Sequence, residues 1–268
     1  MKPAPVAYVR PDSLDEAVGA LAADPGAKVL AGGQSLVPLL SMRLAAPSIL
    51  VDINGLPGLD AIEVSDDGVR VGALARHADL LAHAEAGRVQ PLLPLGLSHV
   101  AHATIRNRGT TVGSLVHADA AAEMPVVLSL LGGSVDVEGP TGSRTIPAAE
   151  LYVGPLESSL AHDEIATSAF FPALAPGARV AFREIARRHG DYALVGAAAL
   201  VDGGRVLVGY VSVSDVPTVV DLSGVPPARA GDAALERLEP ADDIHATAAY
   251  RAQLVRVLTR QVLEEVAA

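Results

Sequence analysis

The chain has 268 residues with 20 basic and 31 acidic side chains, a formal net charge of −11. That balance argues against a nucleic-acid or anionic-membrane surface, since both need a positive footprint. With no Cys, the chain has no thiolate nucleophile, zinc–thiolate site or iron–sulfur cluster of its own, so any redox centre is an organic cofactor or sits on another chain.

Half of the residues are apolar, which predicts a folded chain with core enough for one large domain or two or three small ones. Trp is absent and aromatics are scarce, so stacking platforms for single-stranded nucleic acid are not expected. The opening MKPAPVAYVRP lacks an apolar signal-like stretch, and no 18-residue apolar run occurs. A cytoplasmic protein without a membrane span is the expectation.

In chain order, a strand-like YVRP precedes Ser13, and Glu16 three residues on makes a capping box for a helix striped by Leu14, Ala17, Val18 and Leu21. Lys28–Ala31 reads as a buried strand running into Gly32-Gly33-Gln34-Ser35, with a short helix over Leu36–Leu44 and a strand at Ile49–Ile53. Asp66-Asp67-Gly68 marks a hairpin within Val64–Leu74. His77–His102 has helical spacing interrupted by Pro91 and Pro94, Thr104–Ser114 reads as a loop, and Ala118–Leu131 as a helix started or kinked by Pro125. Strands are expected at Ser134–Val137 and Ser143–Ile146, and a boundary between Pro172 and Gly177. A second hairpin turns at Asp202-Gly203-Gly204, and Asp243–Val266 has the pattern of an amphipathic helix covering a sheet.

Two segments carry donors suited to a phosphate. In Ala31–Ser35 a strand ends in two glycines and small polar residues, which bares backbone N–H groups as a nest does, although an ordinary strand-to-helix turn has the same pattern. Thr104–Glu123 (TIRNRGTTVGSLVHADAAAE) supplies hydroxyls at Thr110, Thr111 and Ser114 around Gly113, followed by His117, Asp119 and Glu123. Taken alone, Asp119 reads more readily as a helix cap and His117 as a loop or core histidine. No nucleophile elbow or metal-binding histidine spacing is present.

AGGQSL at Ala31–Leu36 and TIRNRGTTVGSLVHADAAAEMP at Thr104–Pro125 resemble the two FAD-binding loops of the medium subunit of molybdenum hydroxylases, the xanthine dehydrogenase and aerobic carbon monoxide dehydrogenase type. The likeness extends to RRHGDYALVG at Arg187–Gly196 and HATAAYRAQLVRVLTR at His245–Arg260. It implies an α+β FAD-binding fold of the vanillyl-alcohol-oxidase type over 1–174, with subdomains of about 1–55 and 56–174, then a small α+β domain over 175–268. By position, the resemblance places the FAD diphosphate on the backbone of Ala31, Gly32, Gly33, Gln34 and Ser35 and on Thr110, Thr111, Gly113 and Ser114, with Lys28 neutralising charge. It places Glu123 on the flavin's polar chain in one stretch with His117 and Asp119, Tyr192 over the isoalloxazine ring, and Asp191 orienting that turn. It also implies a large molybdenum-cofactor subunit and a small subunit with two [2Fe–2S] clusters, arranged as a dimer of heterotrimers. In such an enzyme FAD passes electrons from the clusters to an external acceptor, and this chain supplies no acid, base or nucleophile. The sequence departs from the family at Val112, where a loop glycine is usual, and at Ala120, where proline is usual. A self-contained flavoprotein oxidoreductase and a binding or assembly protein that has lost FAD are the alternatives.

Overall fold

The computed structural model describes residues 2–268. Its first unit alternates β1 (Ala7–Val9), α1 (Leu14–Ala23), β2 (Lys28–Leu30), α2 (Leu36–Met42) and β3 (Ile49–Asp52), with a parallel sheet in the order β1-β3-β2. Ser13 caps α1 by accepting from the Glu16 N–H at 3.2 Å, while the Glu16 carboxylate accepts from the Asp12 N–H, one residue earlier than a standard box. Ala17, Val18 and Leu21 are the buried stripe. β2 is less buried than its apolar letters suggest: Lys28 is exposed and Val29 and Leu30 are half-buried. The reason is topological, since β2 is an edge strand and β3 holds the buried centre with Leu50 and Val51.

The second unit begins with the hairpin β4 (Ile62–Ser65) and β5 (Gly68–Gly72), followed by helices α3 (His77–Ala82), α4 (Ala84–Val89), α5 (Leu92–Leu97), α6 (Ala103–Arg106), α7 (Thr111–His117) and α8 (Glu123–Leu131). Next come β6 (Ser134–Gly139), β7 (Gly142–Pro147), the turn-like α9 (Ala148–Leu151), the short pair β8 (Tyr152–Gly154) and β9 (Glu157–Ser158), and β10 (Ile165–Pro172). The antiparallel sheet runs β4-β5-β10-β6-β7. Pro91 caps α5, and Pro94 and Pro125 fall in the first turns of α5 and α8, where a missing N–H costs no helical bond.

Two expectations are corrected here. Thr104–Ser114 is not a continuous loop, because α6 and α7 occupy most of it and only four residues, Asn107–Thr110, connect them. Helix does not begin at Ala118 either. That residue takes left-handed φ 55 and ends α7, the Asp119 carboxylate accepts from the Ala121 N–H, and helix resumes at Glu123.

The third unit is an antiparallel meander of β11 (Arg179–Ala186), β12 (Ala193–Asp202), β13 (Arg205–Val211) and β14 (Thr218–Asp221), followed by α10 (Pro227–Leu235) and α11 (Ala248–Ala267). The last helix starts at Ala248, five residues later than its spacing suggests, because Thr247 caps it and Asp243 instead closes a turn on the His245 and Ala246 N–H groups. β12 is buried on both faces. Ala198 points to the side that packs on α8, whereas Ala197 and Ala199 point to the side covered by Leu254, Val255 and Leu258 of α11. Helix α8 is therefore packed between the second and third units. A Cβ on Gly209 would meet Val126 at 2.6 Å, so that glycine sets how closely α8 approaches β13.

Candidate functional site

β2 and the capped start of α7 bring the two glycine-containing segments into backbone contact. Gly32 is the contact point. A Cβ there would lie 2.6 Å from the Arg108 carbonyl oxygen, 2.9 Å from the Gly109 Cα and 3.0 Å from the Thr110 nitrogen. Gly33 adopts φ +72, the left-handed region that favours glycine, and turns the chain towards α2. Among the described residues the N–H groups of Gly32, Gly33, Gln34 and Ser35 donate to no protein acceptor, so they form an open set of donors. The Gln34 amide donates to the Gly32 carbonyl at 3.2 Å and closes the turn on itself, and Ser35 precedes α2 without a side-chain cap.

The second segment is more fully engaged. Thr110 caps α7 by accepting from the Gly113 N–H at 3.2 Å, and the Ser114 N–H donates to the Thr110 carbonyl. Thr111 is buried, its N–H donates to the Ala75 carbonyl, and its hydroxyl lies 3.1 Å from His77 Nδ1. Burial, and then the Arg106 charge, push the His77 imidazole down to about 4, so the ring is neutral near pH 7. Val112 sits in the first turn of α7 with its side chain in the core at 1% exposure. That helical position does not need positive φ, so valine is accommodated where the resemblance expects glycine. Lys28 is exposed on β2, outside this contact.

Helix α7 spans seven residues, about 10 Å, and leads from the loop pair to a second cluster. His117 is its last residue and is half-buried, and Asp119 forms the following turn. Glu123 opens α8 at 6% exposure. Burial, then the neighbouring Glu184 charge, push its carboxyl up to about 8, so near pH 7 it is a neutral acid with an O–H to donate. Glu184 on β11 keeps only 5% of its side chain exposed, with one oxygen 3.4 Å from His99 Nδ1 and the other, Oε2, without a hydrogen-bond partner. Tyr192 keeps 65% of its surface exposed. Its hydroxyl pKa is nevertheless raised, first by lost solvation and then by the charges of Asp119 and Glu123, which places all three in one neighbourhood. The Tyr192 turn is held from below: Gly190, at φ +84, lies on the His102 ring, where a Cβ would come within 2.5 Å. Asp191 donates its N–H to the Arg188 carbonyl and lies 3.8 Å from Arg187.

Apart from Lys28, the structure thus groups the predicted residues into two clusters joined by α7, one of backbone donors and one with an exposed aromatic beside buried acids. This suits an extended ligand with an anionic middle and a planar end better than a compact one. Sequence reasoning missed Asn54, Arg76, His77, His99 and Glu184. Asn54 donates to the Ala31 carbonyl at 2.8 Å, and Arg76 donates to Asn54 Oδ1 at 2.8 Å and to the Arg108 carbonyl at 2.6 Å. Asn54 and Arg76 were not legible because their partners lie 22 to 32 positions away.

Comparison with known proteins defines the class. Residues 4–174 match the family described as FAD binding domain in molybdopterin dehydrogenase. The chain is 41% identical to the 6-hydroxypseudooxynicotine dehydrogenase complex subunit alpha of Paenarthrobacter nicotinovorans, covering 98% of this chain and 95% of that one. It is 38% identical to the nicotine 6-hydroxylase medium subunit of the same organism, over 100% and 99%. Among solved structures, carbon monoxide dehydrogenase from Hydrogenophaga pseudoflava superposes with a TM-score of 0.93 at 29% identity, covering 99% and 98%. Quinoline 2-oxidoreductase from Pseudomonas putida 86 gives 0.90 at 37%, covering 100% and 98%. The chain belongs to the FAD-binding medium subunits of molybdenum hydroxylases, and so is an oxidoreductase subunit of a multi-subunit molybdenum-containing dehydrogenase. Among the described residues, no helix is long and apolar enough to cross a membrane.

Proposed function

We propose that this chain carries FAD as the electron-transfer subunit of its complex. It takes electrons from two [2Fe–2S] clusters on a small subunit and hands them to an external acceptor, while a large subunit holds the molybdenum cofactor. In this reading the fold is of the vanillyl-alcohol-oxidase type, 1–174 clasps the cofactor, 175–268 completes the site from the Tyr192 side, and the assembly is a dimer of heterotrimers working in the cytoplasm.

The observation that carries the proposal is the Gly32 contact: two chain segments more than 70 positions apart meet backbone to backbone, and open N–H donors flank the meeting point. Glycine is the residue type that lets backbone approach both a partner strand of chain and a diphosphate. When bound, FAD supplies the redox chemistry, accepting electrons singly and releasing them as a hydride or one at a time. The chain's own residues bind and orient. Gly32–Ser35 donate to diphosphate oxygens, and the Thr110 cap fixes the second segment. Glu123 as a neutral acid donates a hydrogen bond to the polar chain, with His117 and Asp119 beside it. Tyr192 covers one face of the ring and limits access to it, with Asp191 holding the turn and Lys28 adding a distant positive charge.

The test is to purify the complex through a tag on this chain and reduce it stepwise under anaerobic conditions. Equimolar molybdenum-cofactor and iron–sulfur subunits are expected, with a flavin band that bleaches no later than the clusters. Copurification of both subunits without flavin, or a flavin band that stays oxidised once the clusters are reduced, refutes the electron-transfer role.

A further inference from the structure

The two FAD-binding segments touch at Gly32, but what holds them there is a polar chain that starts in the first sheet. Asp52, at the end of β3, accepts from the Tyr8 hydroxyl at 2.5 Å and from the Asn54 N–H and side-chain amide at 2.9 and 2.6 Å. Burial alone would raise this carboxyl, yet the hydrogen bonds from Tyr8 and Asn54 outweigh it and hold it below its ordinary value, so Asp52 is an anion that fixes the Asn54 amide. Thus aligned, Asn54 donates to the Ala31 carbonyl at the mouth of the first segment. Its side-chain oxygen accepts from Arg76, whose other guanidinium nitrogen donates to the Arg108 carbonyl, the same oxygen that a Cβ on Gly32 would strike.

Arg76 is half-buried, and its hydrogen-bond acceptors are an amide oxygen and a carbonyl oxygen, with no carboxylate among them. A guanidinium normally seeks a carboxylate or phosphate in such surroundings. Here no carboxylate bonds it, and burial together with the Arg108 charge outweighs the attraction of the Asp79, Asp52 and Asp60 charges, so its charge is only partly compensated beside the meeting point of two donor-rich segments. The backbone of Arg76 adds to the anchoring, because it bridges to Thr110 and the next N–H, of His77, donates to the Gly109 carbonyl at 3.0 Å.

We propose that Asn54 and Arg76 are positioning residues of the cofactor site: together they clasp the two segments at the spacing a diphosphate needs, and the Arg76 charge favours that anion. This rests on the FAD reading above. Neither residue is assigned a direct contact with the ligand. Arg76 is suited to the task because its planar fork reaches two acceptors in fixed directions, which a lysine cannot do. A clasp made of one connected chain of hydrogen bonds fails as a unit, so its two members do not act independently.

The experiment is FAD titration of the full chain stripped of flavin, at low and high salt, for the wild type, Asn54→Ala, Arg76→Met, Arg76→Lys and the Asn54→Ala/Arg76→Met double variant, with the thermal midpoint of each apoprotein. Arg76→Met is expected to weaken FAD on the order of 30-fold and to flatten the salt dependence, and Asn54→Ala on the order of 10-fold. Arg76→Lys should restore the salt dependence and part of the affinity. The double variant should be little worse than Arg76→Met, with apoprotein midpoints within a few degrees of wild type. If Arg76→Met fails to fold, Asn54→Ala and Arg76→Lys carry the same comparison. Variants within twofold of wild type, or a salt dependence that Arg76→Met leaves unchanged, overturn the clasp while leaving FAD binding intact. A double variant whose loss is the product of the single losses overturns it too. A wild-type chain that takes up no FAD either alone or with its partner subunits overturns the reading beneath it.

Discussion

Replacing Gly32 by Ala is the sharpest perturbation the structure offers. The added methyl would sit 2.6 Å from the Arg108 carbonyl oxygen, and 2.9 and 3.0 Å from the Gly109 Cα and Thr110 nitrogen. Ordinary contact begins near 3.4 Å, so the second segment must retreat by 3.4 − 2.6 = 0.8 Å. All three obstacles are backbone atoms, so no side chain can rotate out of the way. Forcing extra volume into a packed contact typically costs about 1–3 kcal/mol. The Arg108 carbonyl also accepts from Arg76, so its displacement strains that bond as well. If binding FAD requires the closed spacing, most of this cost falls on the complex, and affinity should drop roughly 10- to 100-fold. The assay is FAD titration of the apoprotein followed by absorbance, with thermal unfolding alongside. Gly19→Ala is the control, since nothing lies within 4 Å of a Cβ there and Ala favours the interior of α1. It should leave FAD binding unchanged and raise stability by a few tenths to ~1 kcal/mol. A Gly32→Ala variant that folds and binds FAD within twofold of wild type would refute the argument that this contact sets the site.

Other outcomes follow from the buried titratable groups and from the Tyr192 turn. Glu123 is raised to about 8 in the folded chain, so its contribution is fully present below its unfolded value of 4.5 and is lost as pH rises through 8. His77 is lowered to about 4, so its contribution is present above 6.5 and lost as pH falls through 4. The two slopes oppose one another between 4.5 and 6.5, and from pH 6.5 to 8 Glu123 acts alone, which costs about 2 kcal/mol. Chemical denaturation across that range should show the decline, and Glu123→Gln should abolish it. A slope unchanged by the substitution would remove Glu123 as its source. Gly190→Ala must place a side chain at φ +84 and against the His102 ring. It should lower stability by about 1–3 kcal/mol and shift the flavin spectrum through Tyr192, whereas an unaltered spectrum would uncouple that turn from the ring. Tyr192→Ala should retain FAD but speed its reaction with oxygen in stopped flow, and unchanged reactivity would exclude Tyr192 as the cover.

The parts of this architecture that were legible from sequence are those decided by short-range physics. Ser13 with Glu16 marks the start of α1, and Asp66-Asp67-Gly68 and Asp202-Gly203-Gly204 mark the two hairpins, because capping and turn geometry depend on adjacent residues. The first glycine segment was legible for the same reason. The start of α7 was not, since Thr110 looks like any other hydroxyl in a polar run until its side chain is seen to accept from Gly113. Val112 posed a difficulty only as long as the segment was taken for a loop; in a helical first turn it is an ordinary core residue. The residues that join the two segments were out of reach. Asn54, Arg76 and Glu184 act on partners brought near by the sheets, and nothing within a few positions of each signals that placement. Edge position explains β2 likewise: its letters suggest burial, and only the strand order reveals a half-open strand.

Holding FAD along the two segments is the property on which this chain's proposed role depends. The most direct measurement is the visible spectrum of the purified chain, alone and with its copurifying subunits, together with identification and quantification of the flavin released by heat. Flavin absorbance is expected, released as FAD at about one per chain, with a lower flavin content in Gly32→Ala. A protein that is colourless in both preparations and binds no added FAD would contradict it.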